Sequence, residues 1–173
     1  MIVNVRGTNG SGKTFAVQRL MGKDVEIKTV GGVKYTTNGE IVALGVYDGR
    51  KFGGCDGISK QQQLRDTIIH LACEFDRVVF EGVVTSTIFG PYLRLSQELR
   101  KDVGRGIVFA FMDTPLGGCL GRIKARNEGA TFNEALVADK FITINNLKPR
   151  FEREGEKTAS ITTPTDLRRL FYG

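Results

Sequence analysis

The sequence predicts an α/β fold with a small β excursion in its first half, in which a central, mostly parallel sheet is sandwiched between two layers of helices. Three observations carry that prediction. Short apolar runs such as MIVNV, RVVFEGVV and GIVFAFMD alternate with stretches of helical period, the pattern of strands joined by crossover helices. A glycine-rich stretch, GTNGSGKT at residues 7–14, follows the first apolar run and leads directly into a helical pattern. The 173 residues contain no internal repeat, linker or low-complexity segment, which predicts one domain over residues 1–173.

The elements follow in order. Residues 1–6 read as the first strand and Lys13 to Met21 as the first helix. IVALGVY at 41–47 reads as a strand that pairs with KYTT through the turn signal Asn38-Gly39. SKQQQLRDTIIHLACEF gives a helix at 59–75, RVVFEGVV a buried strand at 77–84, and PYLRLSQELRKD a helix opening at Pro91. GIVFAFMD at 106–113 reads as a second buried strand, and these two runs are expected at the centre of the sheet. Pro115 opens a helix through Asn127, NEALVADKFITINNLKPRFERE is helical with a break expected before Pro149, and ASITT forms a short strand ahead of DLRRLFY.

The stretch at 7–14 fits G-x-x-x-x-G-K-[ST], with Gly7, Gly12, Lys13 and Thr14 at the fixed positions. Its place between a strand and a helix turns backbone amides of Gly7, Thr8, Asn9, Gly10, Ser11 and Gly12, together with a helix amino terminus, toward one anion. The architecture predicted is therefore the three-layer sandwich of the P-loop NTPases. Lys13 is expected to reach the β and γ phosphates of ATP, and the Thr14 hydroxyl to ligate Mg²⁺. The strand ending VVFEG places Glu81 at the carboxyl rim of the sheet, where it can hold the metal or take a proton from an acceptor. Arg122 and Arg126, four residues apart on one helix face, can neutralise a transferring phosphoryl group.

Composition narrows the class. The chain has neither an N-K-x-D base-reading motif nor an Asp-x-x-Gly after a strand, which excludes a switch GTPase and favours ATP over GTP. Cys55, Cys73 and Cys119 are odd in number and form no C-x-x-C pair, which argues against a disulfide framework or a thiolate zinc site. His70 lies in a helical pattern and reads as a partly buried structural residue. A net charge of +6 favours an anionic partner such as a nucleotide or nucleic acid. No apolar run approaches the roughly 20 residues needed to span a bilayer, and the first is too short for a signal peptide, which predicts action in the cytoplasm without a membrane partner.

The glycine loop, VVFEG and FMDTPLGGCLGRIKARN occur in the order found in small nucleoside and nucleotide monophosphate kinases of the P-loop class. The resemblance spans residues 1–128, and more weakly TASITTPTD is similar to the loop that lies against adenine in those enzymes. The chain departs from cellular thymidylate kinases where their D-R-Y/H-type acceptor motif would fall, since EGVVTSTIFG stands there. YDGRKFGGCDGI instead resembles the 5-hydroxymethyl-deoxyuridine (5-hmdU) DNA kinases of bacteriophages that hypermodify thymidine. That resemblance implies phosphoryl transfer from ATP to a hydroxymethyl group on a base within DNA, in the host cytoplasm.

On the acceptor side the residues leave choices open. Asp48 ends an apparent strand and is followed by Arg50, Lys51 and a second acid, Asp56. A carboxylate near the acceptor hydroxyl suits an alcohol, with Asp48 the expected base, Glu81 assisting at the metal and Arg122 and Arg126 closing over the phosphates. Cations suit a monophosphate. Tyr35, Tyr47 and Phe52 are candidates to stack on a base or to pack the sheet. The alternatives are a kinase for free deoxynucleosides or deoxynucleotides and, from another class, a nucleic-acid-stimulated ATPase module for which Asp48 and Asp56 would be dispensable.

Overall fold

A computed structural model describes residues 1–49 and 53–173. The chain runs β1 (Ile2–Arg6), α1 (Lys13–Met21), β2 (Glu26–Val30), β3 (Val33–Thr37), β4 (Val42–Leu44), α2 (Gln61–Glu74) and β5 (Val78–Glu81). It continues through α3 (Val83–Thr87), α4 (Gly90–Val103), β6 (Ile107–Met112), α5 (Leu116–Arg126), α6 (Glu134–Arg153), β7 (Lys157–Ile161) and α7 (Pro164–Tyr172). The sequence periods translate directly: α1 turns Ala16, Val17, Leu20 and Met21 inward, and α2 turns Leu64, Thr67, Ile68, Leu71 and Ala72 inward.

Seven strands form one sheet in the order β2-β3-β4-β5-β1-β6-β7. From β4 to β7 every pairing is parallel, whereas the β2–β3–β4 excursion is antiparallel. β1 therefore lies between β5 and β6, flanked by the two apolar runs expected at the centre. Alternation along β1 feeds both layers of the core. Ile2 joins a cluster with Leu64, Ile68, Leu95, Ile144 and Phe151 from α2, α4 and α6. Val3 and Val5 join Val17, Leu20, Leu167 and Phe171 from α1 and α7 on the other face. The register sets Val5 opposite Glu81 and Ala110, so the carboxyl ends of the three inner strands lie side by side.

Five details differ from the sequence reading. β5 stops at Glu81 rather than at residue 84, because Asp56 accepts hydrogen bonds from the amides of Val83 (2.9 Å) and Val84 (3.1 Å) and starts α3 there. β4 is three residues long, ended by Gly45 at φ 105. α6 runs unbroken through Pro149, held on both sides of the proline by the buried residues Ile144, Leu147 and Phe151. His70 is structural but exposed, and its Nε2 lies 3.2 Å from Glu74 one turn on. β2 is a further strand that the sequence pattern does not signal: it is the sheet's outer edge, exposed from residue 26 to 29, and carries a 3.1 Å Lys28–Glu26 ion pair. Among the described residues no helix is long and apolar enough to cross a membrane.

Phe151 is the hub of the α6 face. Its ring stacks on Phe109 of β6 at 3.8 Å between centroids and leans on Phe89 at 4.6 Å. Phe151→Ala is expected to destabilise the fold by about 3–5 kcal/mol, read as a lower denaturant midpoint with an unchanged slope.

Candidate functional site: a phosphate-binding loop and its roof

The loop of residues 7–14 leaves the carboxyl end of β1 and enters α1, as the motif requires. Gly10 and Gly12 adopt φ 75 and φ 97, the left-handed conformation that lets the chain curl. Gly10 matters for a second reason: a Cβ there would overlap the carbonyl oxygen of Cys119. The backbone of α5 thus rests on the loop at a residue that has no side chain. Two further bonds fix the roof. Thr114 Oγ1 donates to Ser11 O at 2.9 Å, and Arg122 Nη1 donates to the same carbonyl at 3.2 Å. Thr8 Oγ1 donates to Val137 O of α6 at 3.2 Å and pins the loop from the other side.

Lys13 is buried, and its Nζ donates to Gly7 O at 2.8 Å and Thr8 O at 3.1 Å. Burial lowers its pKa, an effect that nearby Glu81 opposes. Ser11 Oγ is buried in the same loop and has no hydrogen-bond partner among the described residues. A dehydrated cation and an unpartnered hydroxyl beneath a helix amino terminus suit a phosphate anion.

Glu81 is the acidic counterpart. Its Oε1 accepts from Thr14 Oγ1 at 2.8 Å and from Tyr47 Oη at 3.3 Å. Burial raises its pKa above the ordinary value, while Lys13 and the Thr14 hydroxyl pull it down. Its backbone oxygen accepts from Cys55 N at 2.8 Å, and a Cβ on Gly54 would overlap its carboxylate, so only glycine lets residues 53–55 lie across it. The paired oxygens of Thr14 and Glu81 are hard donors that fit Mg²⁺, an ion that keeps several waters and phosphate oxygens in its shell and needs few protein ligands.

These groups open onto a cleft of about 970 Å³ that Lys13, Thr14, Glu81, Asp56, Arg122 and Arg126 line together. The structure thus brings together the loop, Glu81 and both arginines. Asp48 is exposed at the edge, next to Gly49, which lines the cleft. Asp56 lines the cleft too, but each of its oxygens accepts from an α3 amide, which makes it a helix cap. Tyr35 and Tyr47 are buried and pack the sheet instead of facing a base. Arg50, Lys51 and Phe52 lie outside the described residues.

Arg6 was not singled out in the sequence, although an arginine inside a five-residue apolar strand is a signal. It is fully buried beneath the loop, its Nε donating to Asn4 Oδ1 at 2.6 Å and its Nη1 to Ser86 O and Ile88 O at 3.1 Å. Its guanidinium lies 4.7 Å from the Phe151 ring centroid and 5.0 Å from that of Phe109. Burial pushes its pKa down to about 9, so it stays a cation at neutral pH and ties the end of α3 to β1. Tyr47 was weighed only as an aromatic; its hydroxyl is a partner of Glu81.

An anion-binding loop with its own buried lysine, with arginines above it and the buried carboxylate of Glu81 facing it, suits phosphoryl transfer, and fold and site together place this protein among the P-loop kinases. The chain belongs to the 5-hmdU DNA kinase family, whose model matches residues 1–161. It is 35% identical to the "5-hmdU DNA kinase" of Pseudomonas phage M6, an alignment covering 97% of this chain and 94% of that protein. It is 34% identical to "5-hmdU DNA kinase 1" of Salmonella phage ViI, over 84% of this chain and 68% of the relative. Among solved structures, deoxyadenosine kinase from M. mycoides with bound dATP superposes over 99% of this chain and 97% of that one, at 10% identity and a TM-score of 0.44.

Two outcomes follow from this geometry. Gly10→Ala should abolish transfer, because the added methyl meets both an unfavourable φ and the α5 backbone, and circular dichroism should show the fold retained. Because burial lifts the pKa of Glu81 and its ionised form is the one that binds a cation, kcat/KM should fall on acidification through an apparent pKa above 4.5. Glu81→Gln should remove that acid limb along with most of the activity.

Proposed function: phosphorylation of a modified base in DNA

We propose that this enzyme transfers the γ-phosphoryl group of ATP to the hydroxymethyl oxygen of 5-hydroxymethyl-deoxyuridine in DNA, in the cytoplasm of a phage-infected host. The observation that carries the reading is the single cleft in which Lys13, Thr14, Glu81, Arg122 and Arg126 converge, with Gly49 and Gly54 on its acceptor side. The names of the phage relatives and a net charge of +6 support DNA as the acceptor.

In this proposal the amides of Gly7 to Thr14 and the Lys13 ammonium hold the β and γ phosphates. Thr14 and Glu81 would hold Mg²⁺, which would supply positive charge against the phosphates when bound. Arg122 and Arg126 meet the charge that spreads over the transferring group, Arg122 being already set on the loop through Ser11 O. Residues 158–166, which span most of β7 and the turn into α7, would lie against adenine. The hydroxymethyl oxygen attacks phosphorus in line with the departing ADP oxygen; the P–O bond to ADP breaks as the new one forms, and Asp48 takes the hydroxyl proton. The base reaches the cleft by leaving the duplex stack.

The test is label transfer from γ-labelled ATP and Mg²⁺ to a panel of free nucleosides, nucleotides, ordinary DNA and 5-hmdU DNA. Label on 5-hmdU DNA alone is expected, with binding that weakens steeply as salt rises. Label on free nucleotide and none on DNA would overturn the proposal, as would ATP hydrolysis stimulated by DNA without a labelled product. Asp48→Asn should lower kcat by roughly 10²- to 10⁴-fold with ATP affinity barely changed. Full activity of Asp48→Asn would move the proton acceptor to Glu81. Lys13→Ala should remove transfer altogether, and ATP should be used in preference to GTP.

A further inference from the structure

α1 begins with two residues turned into the site, Lys13 and Thr14, and the next residue is a phenylalanine. The inward positions of this helix are Ala16, Val17, Leu20 and Met21. Folding therefore makes no demand for an aromatic ring at position 15, yet Phe15 is 53% exposed. A single exposed apolar side chain is ordinary on a protein surface. Phe15 differs in two respects. It lines the same cleft as Lys13, Thr14 and Glu81, directly beside the catalytic groups. One face of its ring is already occupied by a cation, the Arg19 guanidinium, 5.1 Å from the ring centroid.

Arg19 covers one face of the ring, and with half of the residue exposed there is surface left for a second flat partner. Positive charge continues along this part of the cleft, since the exposed Lys34 of β3 also lines it. A free aromatic face flanked by cations is the combination that binds single-stranded nucleic acid, because every base offers a π face to stack on and every linkage offers a phosphate. The proposed reaction creates such a strand. Drawing one base out of a duplex leaves its neighbours without a stacking partner on one side.

We infer that Phe15, backed by Arg19, is a stacking platform for a base of the acceptor DNA strand adjacent to the extruded 5-hmdU, with Lys34 meeting the strand's phosphates. This rests on the DNA reading above and extends it by naming a residue that would distinguish a polymer acceptor from a free nucleotide. A free nucleotide has no neighbouring base, so the platform contributes only to DNA.

The chain contains no tryptophan, so Phe15→Trp introduces a lone fluorophore at the platform. Titration of this variant with a single-stranded 5-hmdU oligonucleotide should quench its emission, and the free 5-hmdU monophosphate at equal concentration should not. In steady-state assays Phe15→Ala and Phe15→Leu should raise KM for 5-hmdU DNA about ten-fold, with KM for ATP moved less than two-fold and Phe15→Trp restoring the wild-type value. Unquenched emission, or an unchanged KM for DNA in Phe15→Ala, would overturn the inference. So would an equal rise in KM for ATP, which would put the ring at the donor site. The two levels separate cleanly. If the wild type labels DNA and the Phe15 variants behave as wild type, this inference alone falls; if the wild type labels only free nucleotide, the DNA reading falls with it.

Discussion

The hydrogen bond from Thr14 to Glu81, 2.8 Å long, is the contact on which the arrangement of the site depends. It joins the carboxyl end of β5 to the first turn of α1, across β1, and so fixes the loop against the neighbouring strand. Burying a carboxylate is costly unless its oxygens are partnered. Here Thr14 and Tyr47 supply the bonds and Lys13 the opposite charge. The same residue's backbone oxygen holds residues 53–55 in place through Cys55. One buried acid thus sets the position of α1, of the segment beyond β4 and of the cation beneath the loop.

The site is also built from below and above by backbone groups. Beneath it, Arg6 reaches from β1 to the last carbonyls around α3, while Asp56 holds the amides at the start of that helix. A five-residue helix is too short to be stable on its own, and here both of its ends are tied to residues elsewhere in the fold. Above it, α5 sits on Gly10 so closely that Arg122 reaches the loop carbonyls without a lid having to fold over. A guanidinium is in this way fixed over the loop by backbone contacts, and fixed charge is the condition under which electrostatic stabilisation is most effective.

Much of this was legible in the sequence, and the reasons are local. The strand–loop–helix at 1–21 could be read to within a residue, because motif, apolar run and helical period all changed at the same positions. Glu81 could be placed because it is the acid that closes the buried run VVFE. β2 could not be read, since four of the five residues of EIKTV are solvent-exposed and only Val30 packs on the core, too little burial to impose alternation. The end of β5 was misjudged because Val83 and Val84 look like more strand; what turns them into a helix is Asp56, a residue 27 positions earlier. Pro149 was weighed as a breaker, and the burial of Phe151 two residues on outweighed the lost hydrogen bond. The acceptor side was the least legible part, because D-G and G-G dipeptides specify turns without saying what the turns surround.

The excursion at the sheet's margin has a consequence for how the protein behaves in a crowded solution. A strand at an open edge offers unpaired amides and carbonyls to any other extended chain, and a flat apolar edge invites addition of further strands. β2 resists that route with charge: Glu26 and Lys28 share one face of the strand and form a 3.1 Å ion pair along the rim, although Ile27 between them is exposed. Docking another strand there would strip water from both charges. The far edge, β7, likewise begins with an exposed lysine, Lys157. The sheet is therefore finite by composition at both margins, and the protein can be concentrated beside a polyanion such as DNA with little tendency to polymerise through its strands.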